Sequence, residues 1–159
     1  VRQFEQPQSR DVALLLDLWQ PPHPNDEQRD NIELAISFAA TVAEEVCRQG
    51  SAYLGVGTAG SDLRWSSGAG SRRLLTEVME QLALVDAGTQ DTLPDLLTRA
   101  LHEIPSGTMT VLVSTRDVDL HDTDRFSAAW DDPALRNAIR EIHCVDVSGS
   151  ELFEYFEVS

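Results

Sequence analysis

The polarity pattern along the chain changes period several times, and each change predicts an element. "DVALLLDLW" (Asp11 to Trp19) is almost continuously apolar, as expected of a strand buried on both faces of a parallel sheet. A polar, proline-rich loop, "QPPHPNDEQRDN", follows it. Next, Ile32, Ala35, Ile36, Ala39, Val42, Ala43 and Val46 keep helical spacing up to about Gln49, and Gly50 is a natural stop. "SAYLGVGTA" reads as a second strand, and "SDLRWSSGAG" as a short polar edge strand returning from it. Leu74, Leu75, Val78, Met79 and Leu82 predict a second helix. A third covers "DTLPDLLTRALHEI", with Asp91 or Thr92 as its N-cap and Pro94 in its first turn.

"TMTVLVST" is a further apolar strand, and "HDTDRFSAAW" and "DPALRNAIRE" suggest short helices. "IHCVDVSG" reads as the last central strand, and the tail "ELFEYFEV" as a helical turn or an edge strand. Strands that alternate with helices predict a three-layer α/β/α sandwich around a mostly parallel sheet. In such sheets ligands bind beyond the carboxyl ends of the strands. The loops after Trp19, Ala59, Thr115 and Val147 should gather at that edge.

Charge narrows the function classes. The chain carries 27 Asp and Glu against 12 Lys and Arg, a formal −15, so its field repels a phosphate backbone and no nucleic-acid partner is expected. No apolar run approaches the roughly 18 residues that cross a membrane, so the chain itself is not expected to insert into one. Cys47 and Cys144 both fall in apolar patterns and read as buried, reduced thiols. That usage suits a cytoplasmic location. The first residue is Val1, and the whole of 1–159 reads as one domain of a longer, membrane-anchored or soluble parent.

The candidate chemistry is sparse. "GVGTAG" (Gly55, Gly57, Gly60) matches a dinucleotide fingerprint, but no helix opens from it to receive a pyrophosphate, so turns and a hairpin explain the glycines better. "WSSGAGS" is not a nucleophile elbow, and His23, His102, His121 and His143 form no ligand pair. "DVDLHDTD" places Asp117, Asp119, Asp122 and Asp124 just after a central strand. Such oxygens suit a hard cation, although a solvated loop with capping aspartates is the simpler reading. Arg72 and Arg73 open the second helix against its dipole and read as solvated surface.

Asp17 stands apart, being an acid at the end of the first buried strand. Together with "ELAISFAATVAEEVCRQGSAYLGVGTAG", "SRRLLTEVMEQLALV", "GTQDTLPDLL" and "TVLVST", its strand resembles the bacterial domain of unknown function 58 family, relatives of the von Willebrand factor A domain. The likeness runs from about Val1 to Thr115. It rests on the charged lead-in, on Arg48, Gln49 and Gly50 at the end of the first helix, and on the Arg72–Arg73 pair. The resemblance implies a Rossmann-like sandwich without catalytic activity. It implies a protein-interaction or assembly role, as an adaptor of a MoxR-type AAA+ ATPase.

Von Willebrand A domains bind partners through a metal-ion-dependent adhesion site, D-x-S-x-S with a later threonine and aspartate. Asp17 matches the first acid, but Trp19 and Pro21 stand where the serines would be and offer no side-chain oxygen. The threonine falls at Thr89 or Thr92, and Thr115 replaces the last aspartate. The site is therefore expected to be vestigial, with Mg²⁺ or Mn²⁺ bound weakly at most and no cofactor required. On this reading Asp17 accepts hydrogen bonds from loop N–H groups, and Trp19, Gln20, Pro21 and Pro22 form a rigid contact surface. Two other classes remain open. One is a metal-dependent adhesion module, with Asp17 assisted by Thr89 or Thr92 and by Asp117 or Asp119. The other is a metal-dependent hydrolase or phosphotransferase built on Asp17.

Overall fold

A computed structural model describes residues 10–148 of the chain. The predicted tail element and the charged lead-in lie outside the described residues. Among the described residues, five strands form one sheet in the order β3-β2-β1-β4-β5. They are β1 (Val12–Asp17), β2 (Tyr53–Ala59), β3 (Leu63–Ala69), β4 (Met109–Ser114) and β5 (His143–Asp146). β1 lies parallel to β2 and β4, β4 lies parallel to β5, and β3 alone runs antiparallel, as a hairpin partner of β2.

Helices cover both faces. On one, α1 (Asp26–Gln49) and α2 (Arg72–Leu84) pack on Leu14, Leu16, Val56, Val111 and Val113. On the other, α3 (Leu93–Glu103), α4 (Ser127–Trp130) and α5 (Pro133–Arg140) pack on Leu15 and Leu112 around Phe126. Successive residues of β1 thus serve opposite layers, which is why its sequence has no polar alternation until Asp17.

α1 begins earlier than the loop reading placed it. Asn25 Oδ1 accepts from Gln28 N, and Gln28 Oε1 accepts from Asn25 N, so the capping box starts the helix inside "NDEQ". Among the described residues β5 is the last strand of the sheet, beside β4, and only Val145 of its four residues is buried. The thiols also differ from expectation. Cys47 is half-buried on α1, and Cys144 is exposed because β5 turns that side outward.

The glycines of "GVGTAG" have a packing explanation. A Cβ on Gly55 would stand 2.7 Å from Trp65, and one on Gly57 would stand 2.9 Å from Trp65 and 2.8 Å from Leu96. The indole of Trp65 on β3 therefore lies across two bare positions of β2. Gly60 answers a closer approach, since a Cβ there would meet the Asp86 carbonyl oxygen at 2.1 Å.

Candidate functional site

The parallel register places Asp17 of β1 beside Ser114 of β4 at the carboxyl end of the sheet. Asp17 is 1 % exposed. A buried carboxylate needs partners, because losing its hydration is expensive. The expected loop N–H donors are not the ones that supply them. Ser114 Oγ donates to Asp17 Oδ2 at 2.8 Å, and the Arg116 guanidinium takes both oxygens, Nε to Oδ2 at 2.8 Å and Nη2 to Oδ1 at 3.2 Å. This is the paired geometry in which arginine holds a carboxylate best.

Arg116 is anchored on its other sides as well. Its Nη2 also donates to Asp91 Oδ1 at 2.7 Å, and its Cζ lies 4.9 Å from the centroid of Trp19. Arg125 donates to both oxygens of Asp91 at 2.9 Å. Two aspartates and two arginines thus close a charge-balanced chain from the sheet to the surface. Burial works against the charge on Arg116, yet Asp17 and then Asp91 outweigh it and hold the guanidinium above its ordinary pKa. Arg125, more than Arg116, holds Asp91 below the usual carboxylate range against a smaller opposing effect of burial.

The Trp19 loop is tied to the same corner. Trp19 Nε1 donates to the Thr89 carbonyl at 3.0 Å, and Leu18 and Gln20 bracket Gly88 with backbone hydrogen bonds. Thr115 Oγ1 donates to the Trp19 carbonyl at 2.5 Å. Trp19, Gln20 and Pro21 are half-buried, while Pro22 is exposed.

Other predicted residues are less concentrated. Thr89 meets Trp19 through its carbonyl, and Thr92 Oγ1 donates to the Gly60 carbonyl at 3.3 Å. Thr92 is the N-cap position of α3 but makes no side-chain cap, and Asp91 turns to the arginines instead. Asp117 and Asp119 are exposed. Asp119 accepts from His121 N, and Asp122 from Asp124 N and Arg125 N, so the acidic run builds turns. Among the described residues, no three His, Cys, Asp or Glu side chains converge in a way that would hold a metal ion.

Sequence reasoning missed Arg116, Arg125 and the hydroxyl of Ser114. One signal was available: Arg116 is the basic residue that follows directly on the strand "TVLVST". An acid buried at the end of a central strand calls for a cation from an adjacent strand end.

Neither a protein-family model nor a curated protein matches the sequence. The fold does match solved structures. A von Willebrand factor type A protein from Catenulispora acidiphila superposes with a TM-score of 0.53 at 13 % identity, over 86 % of this chain. The chain spans about a third of that protein, 32 % of its length. The sandwich is therefore a Rossmann-like one of the von Willebrand factor A type.

Proposed function

We propose that this is a non-enzymatic protein-interaction domain whose loop edge is held by an internal ion pair in place of a divalent cation. The observation that carries the reading is the engagement of both Asp17 oxygens by Arg116 and Ser114. A hard cation would need those oxygens, together with further oxygen ligands that Trp19 and Pro21 do not have. The donor set does not suit Mg²⁺ or Mn²⁺, and the guanidinium already supplies the compensating charge. The engagement of Asp17 by Arg116 and Ser114 also supports a non-enzymatic reading of this corner.

With Asp17 committed, the loop of Trp19, Gln20, Pro21 and Pro22 is a fixed, apolar feature suited to a protein partner. Von Willebrand factor A-type folds commonly mediate protein interaction, and the resemblance to the domain of unknown function 58 family points to an adaptor of a MoxR-type AAA+ ATPase. The test is co-elution with such an ATPase, without nucleotide, in EDTA and in Mg²⁺. Equal complex formation in both is expected, weakened by Pro21→Ser with Pro22→Ser. A complex that forms only with Mg²⁺ would favour metal-dependent adhesion. Hydrolysis of p-nitrophenyl phosphate abolished by Asp17→Asn would favour an enzyme.

A further inference from the structure

The outer edge of the sheet, remote in sequence from Asp17, has a geometry of its own. Gly70 N donates to Ala52 O at 2.6 Å and Gly60 N to Asp62 O at 3.1 Å, one bond at each end of the β2–β3 ladder. Both fit the register in which Tyr53 faces Ala69 and Ala59 faces Leu63. Hydrogen-bonded and non-hydrogen-bonded pairs alternate along an antiparallel ladder. Counting inward from either end makes Leu54–Gly68, Val56–Ser66 and Thr58–Arg64 the bonded pairs. The backbone N–H and C=O groups of Leu63, Trp65, Ser67 and Ala69 therefore point away from β2. Among the described residues no strand pairs with them there.

This edge lies in a groove. α2 and α3 sit on opposite faces of the sheet, and both reach the edge. Residues 62–66 line an open cavity of about 550 Å³ with Glu77, Glu80, Gln81 and Leu84 of α2 and Arg99 of α3. Leu84 is 67 % exposed at its rim, the exposed large hydrophobic side chain of the described residues. The amide of Gln81 donates to Val56 O and Thr58 Oγ1 of β2 from the α2 side. Its Oε1 and the Nε1 of Trp65 are buried without a hydrogen-bond partner among the described residues.

Charge selects among occupants. The lining acids Asp62, Glu77 and Glu80 outnumber Arg64 and Arg99 by one, and a second copy would approach with a formal −15 on each chain. A cationic segment gains from that field instead. We propose that the outer edge of β3 accepts an extended, Lys- or Arg-rich segment of a protein partner by strand addition. The segment's main chain pairs with Leu63, Trp65, Ser67 and Ala69, and its alternate side chains lie between α2 and α3. This surface is independent of the Asp17 corner, so a failure of either reading leaves the other standing.

The test titrates a blocked octapeptide of alternating valine and lysine into ¹⁵N-labelled full chain at low salt. Amide shifts at Leu63, Trp65, Ser67 and Ala69 are expected, with smaller ones along the groove walls. Glutamate in place of lysine should weaken binding by about tenfold or more, as should Glu77→Lys with Glu80→Lys in the protein. Full N-methylation of the peptide, which removes its N–H donors, should abolish the shifts. Millimolar lysine peptide without shifts at β3, or equal binding of the glutamate peptide, would overturn the proposal. So would β3 signals that move with protein concentration alone, which would assign the edge to a second copy.

Discussion

Around Asp17 a carboxylate at 1 % exposure is met by a guanidinium and a hydroxyl, whereas on β3 a row of backbone donors and acceptors faces outward into a groove. Both are polar groups at a margin of the same sheet. They differ in what surrounds them. A charge sealed between strands and loops has no water to fall back on, so folding itself must bring the partner, and Arg116 arrives from the adjacent strand. An edge strand open to solvent exchanges hydrogen bonds with water at little cost, so it can stay available to another chain. The closed corner satisfies its polar groups within the chain, and the open edge leaves its own facing outward.

The most disruptive way to break this contrast is to open the closed corner. Arg116→Met leaves the Asp17 carboxylate buried without its counter-charge and should cost about 3–5 kcal/mol in urea unfolding. Adding Asp17→Asn removes the orphaned charge, and the double variant should recover much of that loss. A single and double variant of equal stability would deny the pair its role.

Next in size is a change under the open edge. Gly57→Ala sets a methyl against the rings and methyls of Trp65 and Leu96, for a loss of about 1–3 kcal/mol. The Trp65 fluorescence should shift as the indole moves out of its seat. Smaller still is Asp91→Asn, because Asp91 is 40 % exposed and solvent screens its pairs, leaving about 0.5 kcal/mol. Its carboxyl lies below the ordinary 3.8 in the folded chain, so its contribution is full above that value and is lost as pH falls through the folded pKa. The stability gap between wild type and Asp91→Asn should therefore close in acid below about pH 4. Least of all, Leu84→Ser should change stability by under about 0.5 kcal/mol, as expected for an exposed position.

The two regions were also unequally legible in the sequence. The hairpin edge was readable locally, since "SDLRWSSGAG" is too polar for a central strand and follows β2 at once. The apolar run of β1 and the helical spacing of α1 were likewise visible, because burial on two faces or one stripe leaves a periodic trace. Strand order leaves no such trace, so the place of "IHCVDVSG" beside β4 is legible only in the structure. The Asp17 corner was half legible. The acid at the strand end was evident, but its partner lies 99 positions away, and only the β1–β4 register brings them together. The glycines of "GVGTAG" were legible as hairpin positions, while their seat for Trp65 depended on the β2–β3 pairing.

The measurement that bears most directly on the account is a Mn²⁺ titration of the ¹⁵N-labelled chain, followed at the amides of Asp17, Thr89 and Asp117. With Arg116 holding both oxygens of Asp17, those signals should show no localised, saturable broadening at millimolar Mn²⁺. Saturable broadening confined to the three loops would mean that the cation displaces the guanidinium, and it would contradict the closed corner on which the proposed function rests.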